Sequence, residues 1–148
     1  MKTISSIISL PFFIIILLIT PVMGSSDEWV EYDMSKNGNI YSYNKVNIKH
    51  RTKNIVQVWI REVFSDEGRE KIIQPMRKGG LPTEEWEKLS HTLVLDEIDC
   101  KKRRHQILSI THYDTDGKVF FIHSYDKPKW DYIVPRSTMN TLRKKVCK

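Results

Sequence analysis

The residues best suited to metal chemistry are five histidines, and two of them are predicted to lie close together. If Asp116 and Gly117 form a two-residue hairpin turn, His112 and His123 become diagonal neighbours on one sheet face, roughly 7–8 Å apart at Cβ. A zinc site needs about four ligands, with about three from the protein in a catalytic site. Neither an HExxH motif nor a paired-cysteine motif supplies the rest. The sequence therefore predicts no metal and no cofactor, and favours partly exposed strand histidines.

Motifs of the common enzyme classes do not occur in the chain. There is no GxSxG, no glycine-rich phosphate loop and no dinucleotide fingerprint. The stretch DTDG lacks the later ligands and terminal Glu of a calcium loop, so it indicates a turn. The acidic pairs Glu84/Glu85 and Asp96/Glu97 fit a helix start and a solvated strand. We predict a binding protein without catalytic residues, and a small hydrolase is the least favoured alternative.

Cys100 and Cys147 are the two cysteines of the chain. In a reducing cytosol they would be unrelated thiols or two ligands of an incomplete metal site. In an oxidising compartment an even pair is expected to form a disulfide. We predict an intramolecular bond. The alternatives are free buried thiols and a bond between two chains.

The first 24 residues have the organisation of a secretory signal peptide. Lys2 precedes the apolar core FFIIILLI, and the small residues Val22 and Gly24 precede a cleavage point. We predict cleavage after Gly24 and export to the periplasm or cell surface, with no membrane span after cleavage. The alternative is an uncleaved anchor, because Ile4 to Met23 approaches the about 20 apolar residues that span a bilayer.

Basic residues surround both cysteines and form the predicted anion-binding patch. Apart from Lys2, the chain has 23 basic and 18 acidic residues, a net charge of about +5 with neutral histidines. The patch comprises Lys101, Lys102, Arg103, Arg104, Arg143, Lys144, Lys145 and Lys148, which leaves the rest near −3. Such a patch predicts an acidic partner, for example lipid head groups, polysaccharide or an acidic protein, and export argues against nucleic acid. The alternative is a solvated surface whose cations oppose the dipole of a helix.

Hairpin and strand signals come first after the signal peptide. EWVEYDM and NIYSYN predict two strands, with Asn37 and Gly38 at the positive-φ positions of a tight turn. NIVQVWIREVF predicts a central strand, with Val56, Val58 and Ile60 on one face. Three later strands are predicted in HTLVLDEIDC, RHQILSITHY and KVFFIHSY, the last two joined by DTDG.

Helix signals occur in an excursion between the strands and at the C-terminus. SDEGREKIIQ and TEEWEKLS predict two short helices with Ser65 and Thr83 as N-caps, and PMRKGGLP interrupts any continuous helix between them. Ser137 is placed to cap a third helix.

The C-terminal helix has one apolar face, which is expected to be buried against a sheet. Met139, Leu142 and Val146 recur on that face at helical spacing. A bond from Cys147 to Cys100 would hold this short helix on the edge of a strand. The sequence therefore predicts an α+β fold, in which an antiparallel β-sheet is packed by a C-terminal helix tied by one disulfide.

Several short motifs occur in a characteristic order along the chain. They are EIDCKKRR, YDTDG, Trp130, Pro135 with Ser137, and a terminal VC, and the early Trp29 and the strand VQVW also fit. In this order they resemble the surface-adhesin protein E-like family of small exported bacterial proteins. The resemblance covers most of the chain after residue 24 and implies an antiparallel sheet with a disulfide-tied C-terminal helix. Founding members bind host extracellular-matrix and serum proteins, which implies an adhesin-like role.

Two features depart from the family pattern. The chain has no cysteine for a lipid anchor, and the excursion from Ser65 to Ser90 has no matching motif. The resemblance carries over the cysteines, Trp59 and Trp130 as structural positions rather than ligand contacts.

The combined prediction is a signal peptide over residues 1–24 and a single adhesin E-like domain over residues 25–148. This domain is expected to act by binding, and its oligomeric state is left open, with a dimer among the options. The alternative function is a periplasmic structural or envelope-maintenance protein with an unknown ligand.

Overall fold

The computed structural model describes residues 28–147. The predicted signal peptide and Lys148 lie outside the described residues. The strands are β1 (Trp29–Met34), β2 (Ile40–Asn44), β3 (Lys49–His50), β4 (Ile55–Val63), β5 (Leu89–Asp99), β6 (Arg104–Asp114), β7 (Val119–Ser124) and β8 (Asp131–Tyr132). The helices are α1 (Asp66–Lys78), α2 (Thr138–Val146) and a 3₁₀ helix at Trp86–Lys88.

These strands form one antiparallel sheet. Its order is β1-β2-β4-β5-β6-β7, with β3 beside β4 and β8 beside β6. The longest regular ladder joins β4 and β5, from Ile55 opposite Asp99 to Val63 opposite His91. The predicted fold class is confirmed: the sheet is antiparallel and α2 lies at the C-terminus. Within residues 28–147, neither α-helix has the length and apolar character needed to cross a membrane.

The main core lies between α2 and one face of the sheet. Val56, Val58 and Ile60 are buried on β4, which confirms the predicted alternation of that strand. Leu142 and Val146 of α2 are buried in the same cluster, against which Met139 is partly buried. The remaining buried members are Tyr43, Ile98 and Ile133. Because full burial of such side chains stabilises the fold by about 1.5–3 kcal/mol each, this face holds α2 in place.

Both α-helices begin at the predicted serine caps. The Ser65 Oγ accepts the Gly68 N–H at 2.9 Å, and the Ser137 Oγ accepts the Asn140 N–H at 3.2 Å. A cap of this type stabilises a helix by about 1 kcal/mol. The short α2 therefore has a defined start as well as a covered apolar face.

A disulfide between Cys100 and Cys147 fixes the end of α2. Cys100 lies in the turn after β5, Cys147 follows the last residue of α2, and their Cα atoms are 5.6 Å apart. The predicted intramolecular bond is confirmed. It attaches a nine-residue helix, which would otherwise fray, to the end of a central strand.

The two predicted tight turns each contain one residue more than expected. Gly38 has φ 81° and Gly117 has φ 77°, whereas Asn37 and Asp116 do not have positive φ. Hydrogen bonds from Ser35 N–H to the Asn39 carbonyl and from Asp114 N–H to the Lys118 carbonyl close three-residue loops. Such loops need one left-handed residue, which glycine adopts without steric cost, while two-residue turns of type I′ need two.

The excursion between β4 and β5 contains one α-helix and one 3₁₀ turn, not two α-helices. Helix α1 continues through Pro75 and ends at Lys78, so the interruption begins at Gly79. The Thr83 carbonyl accepts the Glu87 N–H at 2.9 Å, but the helical segment after it has only three residues. Because β5 begins directly afterwards, no length remains for another α-helical turn.

Asp96 corrects the interpretation of its segment as a solvated strand. Strand β5 lies in the middle of the sheet, where Asp96 is opposite Val58 on one side and Ile107 on the other. Asp96 is therefore 1% exposed, and Glu97 is half-buried. A carboxylate at such a position is costly unless hydrogen-bond donors surround it.

Candidate anion-binding surface

The turn between β5 and β6 presents three consecutive basic side chains. Lys101, Lys102 and Arg103 are exposed there. Arg103 adopts a left-handed φ of 53°, and its carbonyl accepts the Ile133 N–H at 2.9 Å. The turn is therefore held against the segment after β8 by its backbone, while its charged side chains remain in solvent.

The last turn of α2 supplies a second group of cations. Lys144 and Lys145 are exposed and Arg143 is half-buried. Cations at this end of a helix interact favourably with its dipole, by about 0.3–1 kcal/mol each. The disulfide joins the turn to the end of the helix, and the anion-binding role of these residues stays a prediction.

Arg104 differs from the other predicted patch residues because it is engaged within the fold. Its Nε lies 3.2 Å from Asp99 Oδ2, and its guanidinium carbon lies 4.5 Å from the centre of the Trp130 ring. The Lys102 N–H donates to Asp99 Oδ1 at 3.0 Å. Burial opposes ionisation of Asp99, but the Lys102 N–H and the Arg104 guanidinium hold its pKa below the usual value. Arg104 and Trp130 therefore stabilise the turn that carries the exposed cations.

A third basic segment was missed by sequence analysis. A pocket of about 420 Å³ beside the end of α2 is lined by Tyr43, Lys45, Ile48, His50, Lys145 and Val146. The loop after β3 is also tied to the disulfide, because the Cys100 N–H donates to the Asn54 carbonyl at 2.9 Å. The run KVNIKHRTK, basic and without an acidic residue, was the signal that sequence analysis overlooked.

These three segments form one surface, which we call the basic end. Its exposed members are Lys45, Lys53, Lys101, Lys102, Arg103, Lys144 and Lys145. Among residues 28–147, no ion pair engages the side chains of Lys101, Lys144 or Lys145. The pair between Lys45 and Glu28, at 3.5 Å, is exposed on both sides and contributes little. Within residues 28–147, the basic end is therefore a cluster of exposed cations in which only Lys45 has an ion-pair partner.

The two strand histidines occupy the predicted diagonal positions. His112 lies opposite Phe121 on β7, and His123 lies two positions further along the same strand. His112 shares a 2.7 Å hydrogen bond with the Thr92 hydroxyl, and its ring centre lies 5.1 Å from that of Trp86. Burial lowers the pKa of His112, which favours the neutral ring. In the part of the chain that the structure describes, no cluster of three or more His, Cys, Asp or Glu residues is arranged to hold a metal.

Comparison with known proteins finds one matching family and several similar solved structures. The family described as Surface-adhesin protein E matches residues 29–148. The chain is also similar to the structure of protein E from Haemophilus influenzae in its selenomethionine form, at 13% identity and a TM-score of 0.48, over 86% of this chain and 90% of that one. A crystal structure of protein E from non-typeable Haemophilus influenzae gives 11% identity and a TM-score of 0.48, over 86% of this chain and 79% of that one. No curated protein matches the sequence. Because the family match spans most of its length, the chain belongs to the surface-adhesin protein E family.

Proposed function

We propose that the chain is an exported, non-catalytic binding protein that uses the basic end to hold an acidic partner at the cell surface. Membership of a surface-adhesin family supports the adhesin-like role. The observation that carries the proposal is the disulfide, since it joins the two basic segments of the predicted patch. The pocket shared by Lys45, His50 and Lys145 extends the same charge onto the sheet.

The electrostatics of the basic end favour a polyanionic partner. Potentials of exposed charges add over about 8 Å at physiological salt, which is the Debye length. Asp99, the acidic residue nearest the turn, is 4% exposed and already accepts hydrogen bonds from Lys102 and Arg104. It therefore does little to reduce the attraction of the exposed cations for an external anion. A sulfated or acidic polysaccharide presents repeated charges and matches such a surface best.

Export is the second part of the proposal. We assign residues 1–24 to a signal peptide and residues 25–148 to the mature domain. The disulfide is consistent with an oxidising compartment. Intact mass of the exported protein should correspond to a chain that begins at Ser25, and a retained Met1 would establish the anchor instead. Protease added to whole cells should degrade the protein, whereas full protection would indicate a periplasmic component.

Heparin chromatography with matched variants tests the basic end. In the double variant Lys144→Gln/Lys145→Gln the salt concentration needed for elution should fall clearly, because two exposed cations of the surface are removed. The control is Lys127→Gln/Lys129→Gln, which removes two exposed lysines from the segment between β7 and β8. The control should elute close to the wild type, although both variants have the same net charge.

Two outcomes would contradict the proposal. Equal shifts in both double variants would mean that only net charge matters, and no local surface would be needed. Failure of the wild-type protein to bind heparin at low salt would leave the basic end as a solvated face.

A further inference from the structure

A second site lies on the same face of the sheet as α2, beside the N-terminal end of that helix. It is a cavity of about 230 Å³, at the opposite end of α2 from the basic end. Its lining comprises Tyr32, Tyr41, Ile60, Glu62, Val94, Asp96, His105, Ile107, Thr138 and Met139. An apolar wall with a few polar groups is the usual composition of a small-molecule pocket.

Asp96 is the polar residue of this lining with an unmet hydrogen-bonding requirement. Its side chain is 1% exposed, and its Oδ2 lies 3.0 Å from His105 Nδ1. Its Oδ1 has no hydrogen-bond partner among residues 28–147. Because Oδ1 is itself buried, a donor in the cavity reaches it only when the carboxylate turns about its terminal torsion, which is broad for aspartate. A buried, unsatisfied carboxylate oxygen in a native fold needs an explanation, and a ligand donor is one.

The charges around the cavity favour a cationic donor. Glu62 is a second carboxylate of the lining, and its Oε1 accepts hydrogen bonds from Asn39 Nδ2 and the Tyr41 hydroxyl, both at 2.8 Å. His105 can balance only one of the two carboxylates. The rings of Tyr32 and Tyr41, 6.3 Å apart, add electron-rich aromatic faces to the wall.

We propose that this cavity binds a small primary amine, whose ammonium group donates to Asp96 Oδ1. The apolar body of the amine packs on Ile60, Val94 and Met139, which also line the cavity. The site is separate from the basic end and has the opposite charge preference, so it does not depend on the proposed function. Its ligand class is an ammonium group on a short aromatic or aliphatic chain.

The beginning of α2 provides the competing prediction. Thr138 is the first residue of that helix and lines the cavity, and the N-terminus of a helix attracts anions. The Ser137 hydroxyl already accepts the Asn140 N–H, so one of the N–H groups that could hold an anion at this end of the helix is occupied. A carboxylate probe of the same shape as the amine therefore distinguishes the two preferences directly.

The test titrates the oxidised, exported protein with 2-phenylethylamine, 2-phenylethanol and phenylacetate, followed by ¹⁵N–¹H NMR. The amine should bind with a dissociation constant on the order of 0.1–1 mM and shift the amides of Asp96, His105 and Thr138. The alcohol, which cannot supply a charged donor, should bind about tenfold more weakly. Phenylacetate should bind more weakly than the alcohol.

Two pairs of variants locate the site. Asp96→Asn removes the acceptor charge and Thr138→Trp fills the cavity, so both should abolish the amine shifts. The controls are Asp99→Asn, which removes another buried carboxylate from β5, and Thr141→Trp, which adds the same bulk to α2 outside the cavity lining. Both controls should retain binding, and dispersed spectra verify that each variant is folded. Equal affinity for amine and alcohol, preference for phenylacetate, shifts elsewhere, or no saturable binding would each overturn the proposal.

Discussion

Two buried aspartates on β5 differ in how completely their oxygens are satisfied. Asp99 is 4% exposed and Asp96 is 1% exposed, and each is paired with a basic residue of β6, Arg104 or His105. Both oxygens of Asp99 accept hydrogen bonds, at 3.0 and 3.2 Å. Asp96 has one bonded oxygen and one without a partner among the described residues.

The pKa values of the two carboxyl groups move in opposite directions. At Asp99, burial is outweighed by the Lys102 N–H and the Arg104 guanidinium, so its pKa is lowered. At Asp96, burial outweighs the hydrogen bond and charge of His105, so its pKa is raised. The two carboxyl groups differ both in their donors and in their depth: Asp99 has two donors near the end of its strand, whereas Asp96 lies deeper and has one. Neighbouring residues donate to both oxygens of Asp99, whereas Asp96 Oδ1 remains available to accept a hydrogen bond from a ligand.

The largest expected loss of stability comes from removing the disulfide near Asp99. The variant Cys100→Ser/Cys147→Ser should lower the free energy of unfolding by about 4 kcal/mol, since the bond closes a loop with a sequence separation of 47. Urea denaturation measures this change, and chemically reduced wild-type protein is the control and should behave alike. An unchanged midpoint would mean that α2 is held by its apolar face alone.

Asp99→Ala should have the next largest effect. It removes the acceptor of the Lys102 N–H and leaves the half-buried Arg104 guanidinium without its carboxylate, at a cost of about 2 kcal/mol. Asp126→Ala, at an exposed position after β7, should stay within about 0.5 kcal/mol. Urea denaturation of the two variants side by side checks the ranking, and equal losses would remove the distinction between structural and surface aspartates.

The Asp96 and His105 pair should give stability a pH dependence. Its hydrogen bond with Asp96 raises the pKa of His105 above its usual value, although burial opposes this. The contribution of the charged His105 is therefore present below about pH 6.5, the unfolded value, as long as Asp96 is ionised, and it is lost as pH rises through the folded value.

The comparison of wild type with Asp96→Asn isolates this contribution. The stability advantage of the wild type should be on the order of 1 kcal/mol at pH 6 and should shrink towards pH 9. The pKa values of His91 and His112 are lowered by burial, which gives the opposite pH dependence, but these residues are present in both proteins. If the stability difference between wild type and Asp96→Asn does not vary with pH, Asp96 does not raise the pKa of His105.

The smallest expected effect concerns the contact of Arg104 with Trp130. Arg104→Lys keeps the charge beside Asp99 but loses the contact of the guanidinium with the Trp130 ring, which should cost about 0.5–1 kcal/mol in unfolding free energy. Arg143→Lys is the matched control, because Arg143 has only long contacts of 3.4 Å to Asn140. A loss as large for Arg143 as for Arg104 would mean that this contact does not contribute.

Much of the fold follows from local patterns in the sequence. The alternation of Val56, Val58 and Ile60 defined the buried face of β4, and Ser65 and Ser137 marked the starts of both α-helices. These features depend on backbone geometry within a few residues, so a single stretch of sequence is sufficient to predict them. Turn lengths were predicted less well, because a glycine with positive φ suits both two-residue and three-residue loops.

The amino-acid sequence by itself predicted the family, the strands β1, β2, β4, β5, β6 and β7, both α-helices and the pairing of Cys100 with Cys147, but not the short strands β3 and β8. Only the tertiary structure decided which charges act together. It brought Lys45 and His50 beside Lys145, and it buried Asp96 in a central strand, where one carboxylate oxygen has no hydrogen-bond partner among residues 28–147. The reason is physical: burial and electrostatic potential depend on distances between residues that are far apart in the chain, and local sequence patterns do not contain those distances.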